Sequence, residues 1–311
     1  MGRETADLVK RLSGRRILVI GDMVADIYID GRISRISREA PVLVLEQAGE
    51  KIVAGGAANV AHNAQTLGGS VYAVGLLGED AAAQGLADIL AEKGVQTAGL
   101  FHDAARPTIS KTRIIAGGRA TVSQQIVRLD KESHAPLRRE TEGEMLRYLD
   151  EILPQMEGIV LSDYGAGTIT EAVKDKLIGY VKQNDAELAA AVGRELPDEA
   201  ALVDAGRALL KELSADGVLV TRGEQGMMLF SRDGTVTDIP VSDRSEVYDV
   251  SGAGDTCVAT VILALAAGIE APEAARLSNV ASGIAVRKLG TATVSAAELV
   301  RALDAQGDAA D

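Results

Sequence analysis

A chain of 311 residues with 47% hydrophobic content can bury the core of one large α/β domain or two smaller ones, and its formal net charge of −13 argues against nucleic acid or an anionic membrane surface as the main partner. A single cysteine, Cys257, excludes an intramolecular disulfide and a cysteine-based zinc site, which fits a reducing compartment. The polar opening (Arg3, Glu4, Asp7, Lys10) lacks the apolar core of a signal peptide, and the longest apolar stretch, 258–269, is too short for a bilayer. With no linker-like run and no fixed-period repeat, one cytoplasmic domain over 1–311 is expected.

Residues 16–20 are apolar and β-branched and end at Gly21-Asp22, the pattern of a buried first strand whose end faces a ligand crevice. A dinucleotide fold would place G-x-G-x-x-G here, and Gly21-Asp22-Met23-Val24-Ala25-Asp26 does not supply it. Asp22 and Asp26 suit hydrogen bonds to sugar hydroxyls, and turn formation explains them almost as well. Short β-type stretches at 27–29 and 42–45, with a later β-rich patch at 108–115 and 121–129 joined through Gly117-Gly118, predict a small accessory sheet. Its lid segments span about 25–48 and 106–129. Arg32, Arg35, Arg38, Arg113, Arg119 and Arg128 all fall in these patches. A solvated edge strand explains any one of them; the group suits a substrate phosphate, whose oxygens match arginine's planar fork.

The stretch Ala54-Gly55-Gly56-Ala57-Ala58-Asn59 opens a helix running to about Leu67. Strands at 71–76, 96–100 and 158–161 then alternate with helices at 81–93, 140–153 and 170–182, as in a parallel sheet covered on both faces. The alternation breaks at about 183–184, where one helical stretch meets Asn184-Asp185-Ala186-Glu187 and another follows without an apolar strand. A strand-containing segment is missing there. Either the protein has lost it or the sequence as read lacks it, and the core surface and sheet edges that loss would expose favour the second. Strands at 217–221 and 227–230 flank the turn Arg222-Gly223-Glu224-Gln225-Gly226.

The most informative stretch is Asp249-Val250-Ser251-Gly252-Ala253-Gly254-Asp255-Thr256, which runs directly into the apolar, helix-forming segment Cys257 to Ala267. Its glycines let the backbone approach a ligand, and the helix start presents unpaired N–H groups and partial positive charge to an anion. Asp255 either caps the first turn or faces a ligand as a general base. The three histidines are isolated and imply no metal site.

This stretch resembles the D-x-x-G-A-G-D-T motif of the ribokinase-like (PfkB) sugar kinases. Gly55-Gly56 with Asn59 resembles that family's first motif, Ser162-Asp163-Tyr164-Gly165-Ala166-Gly167 its S-D-Y-x-x-G, and Thr221-Arg222-Gly223-Glu224-Gln225-Gly226 its T-x-G-x-x-G turn. The resemblance implies a three-layer αβα sandwich with a mostly parallel central sheet and a small β lid. It implies that the backbone of Gly252, Ala253 and Gly254 holds the transferring phosphoryl group while Asp255 deprotonates the acceptor. By the same resemblance Asp22, Asp26, Gly55, Gly56 and Asn59 orient the sugar, with Arg113 and Arg128 near its phosphate. Thr221, Gly223, Gly226, Asn184 and Asn279 would lie beside ATP, and Asn184 and Glu187 would touch Mg²⁺ through water. Asp163 is a further candidate for nucleotide phosphate or metal-bound water, and a monovalent cation would sit beside Gly290-Thr291-Ala292-Thr293. Residues 31–42 are also similar to the R-I-S-P-E-A-P-V segment of the heptose 7-phosphate kinases, the kinase half of bacterial ADP-heptose synthesis enzymes, with departures at Arg38 and Leu43. The expected reaction is ATP-dependent phosphorylation of D-glycero-D-manno-heptose 7-phosphate at its anomeric hydroxyl, on the route to lipopolysaccharide core, by a homodimer formed through the lid. The nucleotidyl transfer that follows would fall to another protein. The alternatives are a PfkB kinase for another sugar or nucleoside, or a silent sugar-phosphate-binding relative.

Overall fold

The computed structural model describes residues 2–117, 123–133, 135–184, 187–189, 199–213, 215–241, 249–288 and 290–308. In chain order it begins with α1 (Gly2–Lys10), β1 (Arg16–Gly21), the long β2 (Met23–Ile36) and β3 (Leu43–Gly56), α2 (Ala57–Thr66), β4 (Ser70–Leu77), α3 (Ala81–Glu92) and β5 (Gln96–His102). It continues with β6 (Ile109–Gly117), β7 (Gln124–Lys131), α4 (Arg139–Ile152), β8 (Gly158–Ser162), α5 (Glu171–Asn184), β9 (Glu187–Ala189) and α6 (Glu199–Leu213). The last elements are β10 (Gly217–Thr221), β11 (Met227–Ser231), β12 (Val236–Ile239), α7 (Ala253–Ala266), α8 (Ala271–Ala285) and α9 (Ala296–Asp308).

An apolar run such as Ile17-Leu18-Val19-Ile20 cannot sit on a one-sided sheet, because its alternate side chains leave on opposite faces. Here both faces are covered. Ile17 and Val19 join the cluster formed with α2, α7, α8 and α9, while Leu18 and Ile20 join the one formed with α4 and α5. β1 lies at the centre of a five-stranded sheet of order β5-β4-β1-β8-β9, and every pairing in it is parallel. The chain leaves β1 toward β4 and β8 toward β9, so the strand order reverses between β1 and β8. That reversal opens a crevice at the strands' C-terminal ends. Asp22 and Ser162 stand there.

The lid is a four-stranded sheet of order β3-β2-β6-β7. β2 and β3 are each 14 residues long, far beyond the short stretches visible in the sequence. The reason is their antiparallel ladder, which runs from Met23↔Gly56 to Ile36↔Leu43 and holds polar and basic residues in strand form by backbone pairing alone. A register shift between Asp30 and Gly31 marks a bulge in this ribbon. β7 begins at Gln124, and Arg119 with the Gly118 end of the predicted hairpin lies outside the described residues.

Beyond α5 the structure corrects the sequence reading in one respect. Where only helix was expected, Glu187–Ala189 forms a three-residue strand paired with β8 from Gly158↔Glu187 to Val160↔Ala189. Three residues are too few for an apolar pattern to emerge, and the neighbouring strand supplies the pairing. Strands β10, β11 and β12 then form a separate antiparallel sheet. It packs on α7 and α8 through Met227, Leu229 and Ile239 against Cys257 and Ala275. Among the described residues no helix is long and apolar enough to cross a membrane.

Candidate active site

Gly252 is the N-cap residue of α7, with φ +78 and ψ 1. A side chain there would be strained by the dihedral, and its Cβ would stand 2.7 Å from Nδ2 of Asn59. Gly254, in the first helical turn, has no atom within 4 Å of where a Cβ would point. The helix therefore begins with a bare, accessible turn whose N–H groups lack intrahelical acceptors. Gly252, as the N-cap residue, offers no side chain to the turn, and the groups that hydrogen-bond the Asp255 oxygens are the side chains of Asn59 and Tyr164.

The Asp255 carboxylate faces a cleft of about 170 Å³, walled by Val24, Asp26, Lys111 and Arg113 of the lid, Gly56, Tyr164, and Ser251, Gly252 and Thr291. Asn59 Nδ2 donates to its Oδ2 at 2.7 Å, and the Tyr164 hydroxyl lies 3.4 Å from Oδ1. Burial raises the Asp255 pKa to about 6, and the nearby Asp26 charge adds to this; hydrogen bonds from Asn59 and Tyr164 and the charge of Lys111 oppose it. A carboxylate tuned upward while remaining ionised at neutral pH is suited to accept a proton. Burial and the Asp255 charge in turn push the Tyr164 phenol upward, so it remains a donor.

Tyr164 is held from below. Asp22 is 0% exposed, and its carboxylate accepts backbone N–H groups of Tyr164 (2.8 Å), Ala166 (3.1 Å) and Thr168 (3.3 Å). The sequence reading put Asp22 among the sugar-binding residues; in the structure it lies behind the cleft, with its oxygens committed to the loop after β8. Arg106 ties the same loop from another side, donating to the carbonyls of Ala166 (3.3 Å) and Ala135 (2.7 Å) and pairing with Asp103.

Asp26 is 5% exposed and forms an ion pair with Arg113, whose guanidinium also stands 5.4 Å from the Tyr28 ring centre. Gly55 has an internal reason to be glycine, since a Cβ would stand 2.5 Å from Oδ2 of Asp26. Gly56 both lines the cleft and starts α2 at φ +54. Arg128 lies directly across from Arg113 in the lid, on the same sheet face, and forks onto Asp130 at 2.8 and 2.9 Å. It is at the margin of the site rather than in the cleft.

The predicted nucleotide residues divide. Thr221 and Gly223 are exposed at the β10–β11 turn. Gly226 has a structural requirement, because a Cβ would collide with the carbonyl oxygen of Ile239. Asn279 is 6% exposed and donates to the carbonyl of Pro240 at 2.6 Å, anchoring the chain after β12 to α8. One turn further along α8, Ser282 donates to the Ala253 carbonyl at 3.1 Å, so this helix buttresses the glycine-rich turn. Asn184 ends α5 and Glu187 begins β9. Among the described residues no cluster of three His, Cys, Asp or Glu side chains could hold a metal ion. Asp163 accepts the N–H of Gly165 at 2.9 Å, the ordinary work of a turn aspartate.

Sequence reasoning missed Lys111 and the hydroxyl of Tyr164. Lys111 occupies a cleft-facing position in β6 and lies 5.5 Å from the Tyr164 ring centre. The period-two spacing of Lys111 and Arg113, which puts both on one face, was the available signal. A larger, open cleft of about 420 Å³ between α8 and α9 is lined by Arg287, Arg301 and the Lys288–Glu298 ion pair, away from these groups.

Structural comparison finds the same architecture in a ribokinase from Arabidopsis thaliana, with a TM-score of 0.69 and 18% identity over 94% of this chain and 99% of that one. Escherichia coli phosphofructokinase-2 gives a TM-score of 0.69 and 18% identity over 95% and 99%. This is a ribokinase-like α/β fold with a parallel central sheet and a small β lid. Among curated proteins, the bifunctional protein HldE of Azorhizobium caulinodans is 42% identical over 316 residues, covering 93% of this chain and 64% of that protein. HldE of Trichlorobacter lovleyi is 37% identical over 321 residues, with 95% and 64% covered. The chain thus spans about 64% of the length of these relatives. A family profile described as pfkB family carbohydrate kinase matches residues 15–133 and 122–298. With most of its length under that profile, the chain belongs to the pfkB carbohydrate kinases and is a phosphotransferase.

Proposed function

We propose that the chain transfers the γ-phosphoryl group of ATP to the anomeric hydroxyl of D-glycero-D-manno-heptose 7-phosphate, for ADP-heptose and lipopolysaccharide core synthesis. The observation that carries the substrate choice is a row of three basic side chains, Lys111, Arg113 and Arg128, on the lid face turned to the base, with Arg113 paired to Asp26 and Arg128 to Asp130. Lys111 stands across from Asp26, and Arg113 stands between Tyr28 and Arg128 in adjacent strands, so the cations lead outward from Asp255 along one face. A substrate whose anionic end lies away from its reacting hydroxyl matches that arrangement. The identity with two HldE proteins over more than nine-tenths of this chain supports the same choice.

In this reading Asp255 takes the acceptor proton as the sugar oxygen forms its bond to the γ-phosphorus and ADP leaves. The backbone at Gly252, Ala253 and Gly254 stabilises the transferring group, whose charge is met by N–H dipoles at the start of α7. Asp26, Gly55, Gly56 and Asn59 shape the sugar site, with Asp22 acting through the Tyr164 loop. ATP lies toward Thr221, Gly223, Gly226 and Asn279. Mg²⁺ accompanies the nucleotide, with Asn184 and Glu187 as proposed contacts through water, and supplies charge neutralisation at the phosphates. A monovalent cation beside residues 290–293 fits the Thr291 hydroxyl, a buried group without a hydrogen-bond partner among the described residues. A homodimer through the lid fits its outer face, where Val127 and Leu129 are 42% and 57% exposed.

The test is ADP release from Mg²⁺-ATP across heptose 7-phosphate, fructose phosphates, ribose and a no-sugar blank, with Asp255→Asn alongside. Turnover confined to the heptose phosphate and lost in the variant is expected. Blank rates with every sugar in folded protein would leave a silent sugar-phosphate binder, and turnover with another sugar would move the substrate assignment.

A further inference from the structure

Asp255 and Thr256 are neighbours in sequence, yet they are also joined through space by a buried chain of amides on α2. Thr256, Asn63 and Asn59 are each 0% exposed. The Thr256 hydroxyl shares its one proton between Oδ1 of Asn63 at 3.0 Å and the Gly252 carbonyl at 3.1 Å. Nδ2 of Asn63 donates to both the backbone carbonyl of Asn59 (3.0 Å) and its side-chain Oδ1 (3.1 Å). Nδ2 of Asn59 then donates to Oδ2 of Asp255 at 2.7 Å. The two asparagines are four residues apart and so share one face of the helix.

The polarity of this chain is set by two acceptor-only groups, the Asn59 backbone carbonyl and the ionised Asp255 carboxylate. A side-chain amide can be turned end for end, exchanging donor for acceptor. The Asn59 backbone oxygen can only accept, so the group facing it from Asn63 must be NH₂. That NH₂ also faces the Asn59 side chain, which must present its oxygen there and therefore its NH₂ to Asp255. Thr256 closes the other end, its rotatable hydroxyl meeting the remaining Asn63 oxygen. Asn59 has no second stable orientation while Asn63 is in place, because a flip would set oxygen against oxygen in a water-free interior.

We propose that Asn63, with Thr256 behind it, is a positioning residue that locks the Asn59 amide as a permanent donor to Oδ2 of the catalytic base, leaving Oδ1 to receive the acceptor hydroxyl. This rests on the reading of Asp255 as the base. The other charged and titratable groups around Asp255 are Asp26, Lys111 and Arg113 of the lid and Tyr164 of the loop after β8, whereas the side-chain hydrogen bonds of Asn63 go to Asn59 and Thr256. Replacing Asn63 therefore reaches the base through Asn59. A lost donor disfavours the carboxylate, so the titration of Asp255 moves up.

The experiment compares wild type, Asn63→Leu, Thr256→Val and Thr256→Ser. Carboxyl-carbon NMR follows Asp255, assigned by its absence in Asp255→Asn, together with the pH dependence of kcat/KM. In Asn63→Leu, the Asp255 midpoint and the acid limb of kcat/KM should both rise by about one pH unit. That corresponds to about a fivefold loss near pH 6 that fades above pH 8, with the KM for ATP unchanged. Thr256→Val should move both in the same direction by a smaller amount, and Thr256→Ser, which keeps the hydroxyl, should leave them at the wild-type values. If Asn63→Leu does not fold, the Thr256 pair decides. Folded variants of lower melting temperature whose Asp255 titration stays at the wild-type midpoint would show a packing role only and overturn the proposal. The NMR titration does not depend on turnover, so wild-type protein inactive on every sugar would count against the proposed function, not against the lock.

Discussion

Replacing Gly254 by alanine separates a structural glycine from a functional one. Gly254 sits in the first turn of α7, is exposed, and has nothing within 4 Å of the position its Cβ would take. Unlike Gly252, it is not among the positive-φ glycines. The fold therefore gives no steric or dihedral reason for glycine. Alanine in place of glycine within a helix is worth about 0.5–1 kcal/mol, so Gly254→Ala should raise Tm by about 1–3 °C. Activity should move the other way. In the proposed function a methyl on this turn occupies the space through which the transferring phosphoryl group would reach the backbone N–H groups. Loss of one such donor elsewhere costs about 10²–10³-fold in kcat, or about 3–4 kcal/mol of transition-state stabilisation. Calorimetry and steady-state ADP release on the same preparation measure both effects. A Gly254→Ala protein that is more stable and still within threefold of wild-type kcat would refute the assignment of this turn to the phosphoryl group. Gly252→Ala is the contrast: it is expected to lose stability and activity together, because its Cβ would press on the asparagine that holds the base.

Three further outcomes follow from the same geometry. With Asp255 as the proposed base and its pKa raised to about 6, kcat/KM should fall tenfold per pH unit below about pH 6 and be flat from pH 7 to 8; an acid limb near the ordinary carboxylate value, about 4, would mean that another group is titrating. Asp22→Ala leaves the N–H groups of Tyr164, Ala166 and Thr168 without their acceptor, so unfolding free energy should drop by about 3 kcal/mol or more in denaturant titrations. A drop below 1 kcal/mol would show that the loop finds other acceptors. Leu129→Asp places a charge on the exposed outer face of the lid, and a dimer seen by light scattering should become monomer with the fold intact; an unchanged mass would remove the lid from the interface.

The sequence carried the fold class and singled out the candidate base because both depend on local pattern. Runs such as Ile17 to Ile20 can be satisfied only by burial on two faces, and the order Gly252-Ala253-Gly254-Asp255 ahead of an apolar helix marks a helix start with exposed N–H groups, the candidate anion site. The long lid ribbon escaped the pattern because backbone pairing, not apolar alternation, extends β2 and β3 through Arg32 and Arg35. Glu187–Ala189 escaped because three residues borrow their strand character from β8.

Asp22 and Asp26 illustrate the remaining division. Four residues apart and alike in sequence, one is enclosed by the backbone of a loop that begins 142 residues away and the other is paired with an arginine 87 residues away. Only long-range packing could assign them different work. The same holds for Asn63: as a residue it is one more polar position on α2, and it becomes part of the base's support because helix packing brings Thr256 and Asn59 to either end of its amide. Local chemistry names the groups able to react; what each one faces, and so its charge state and role, is set by contacts distant in sequence.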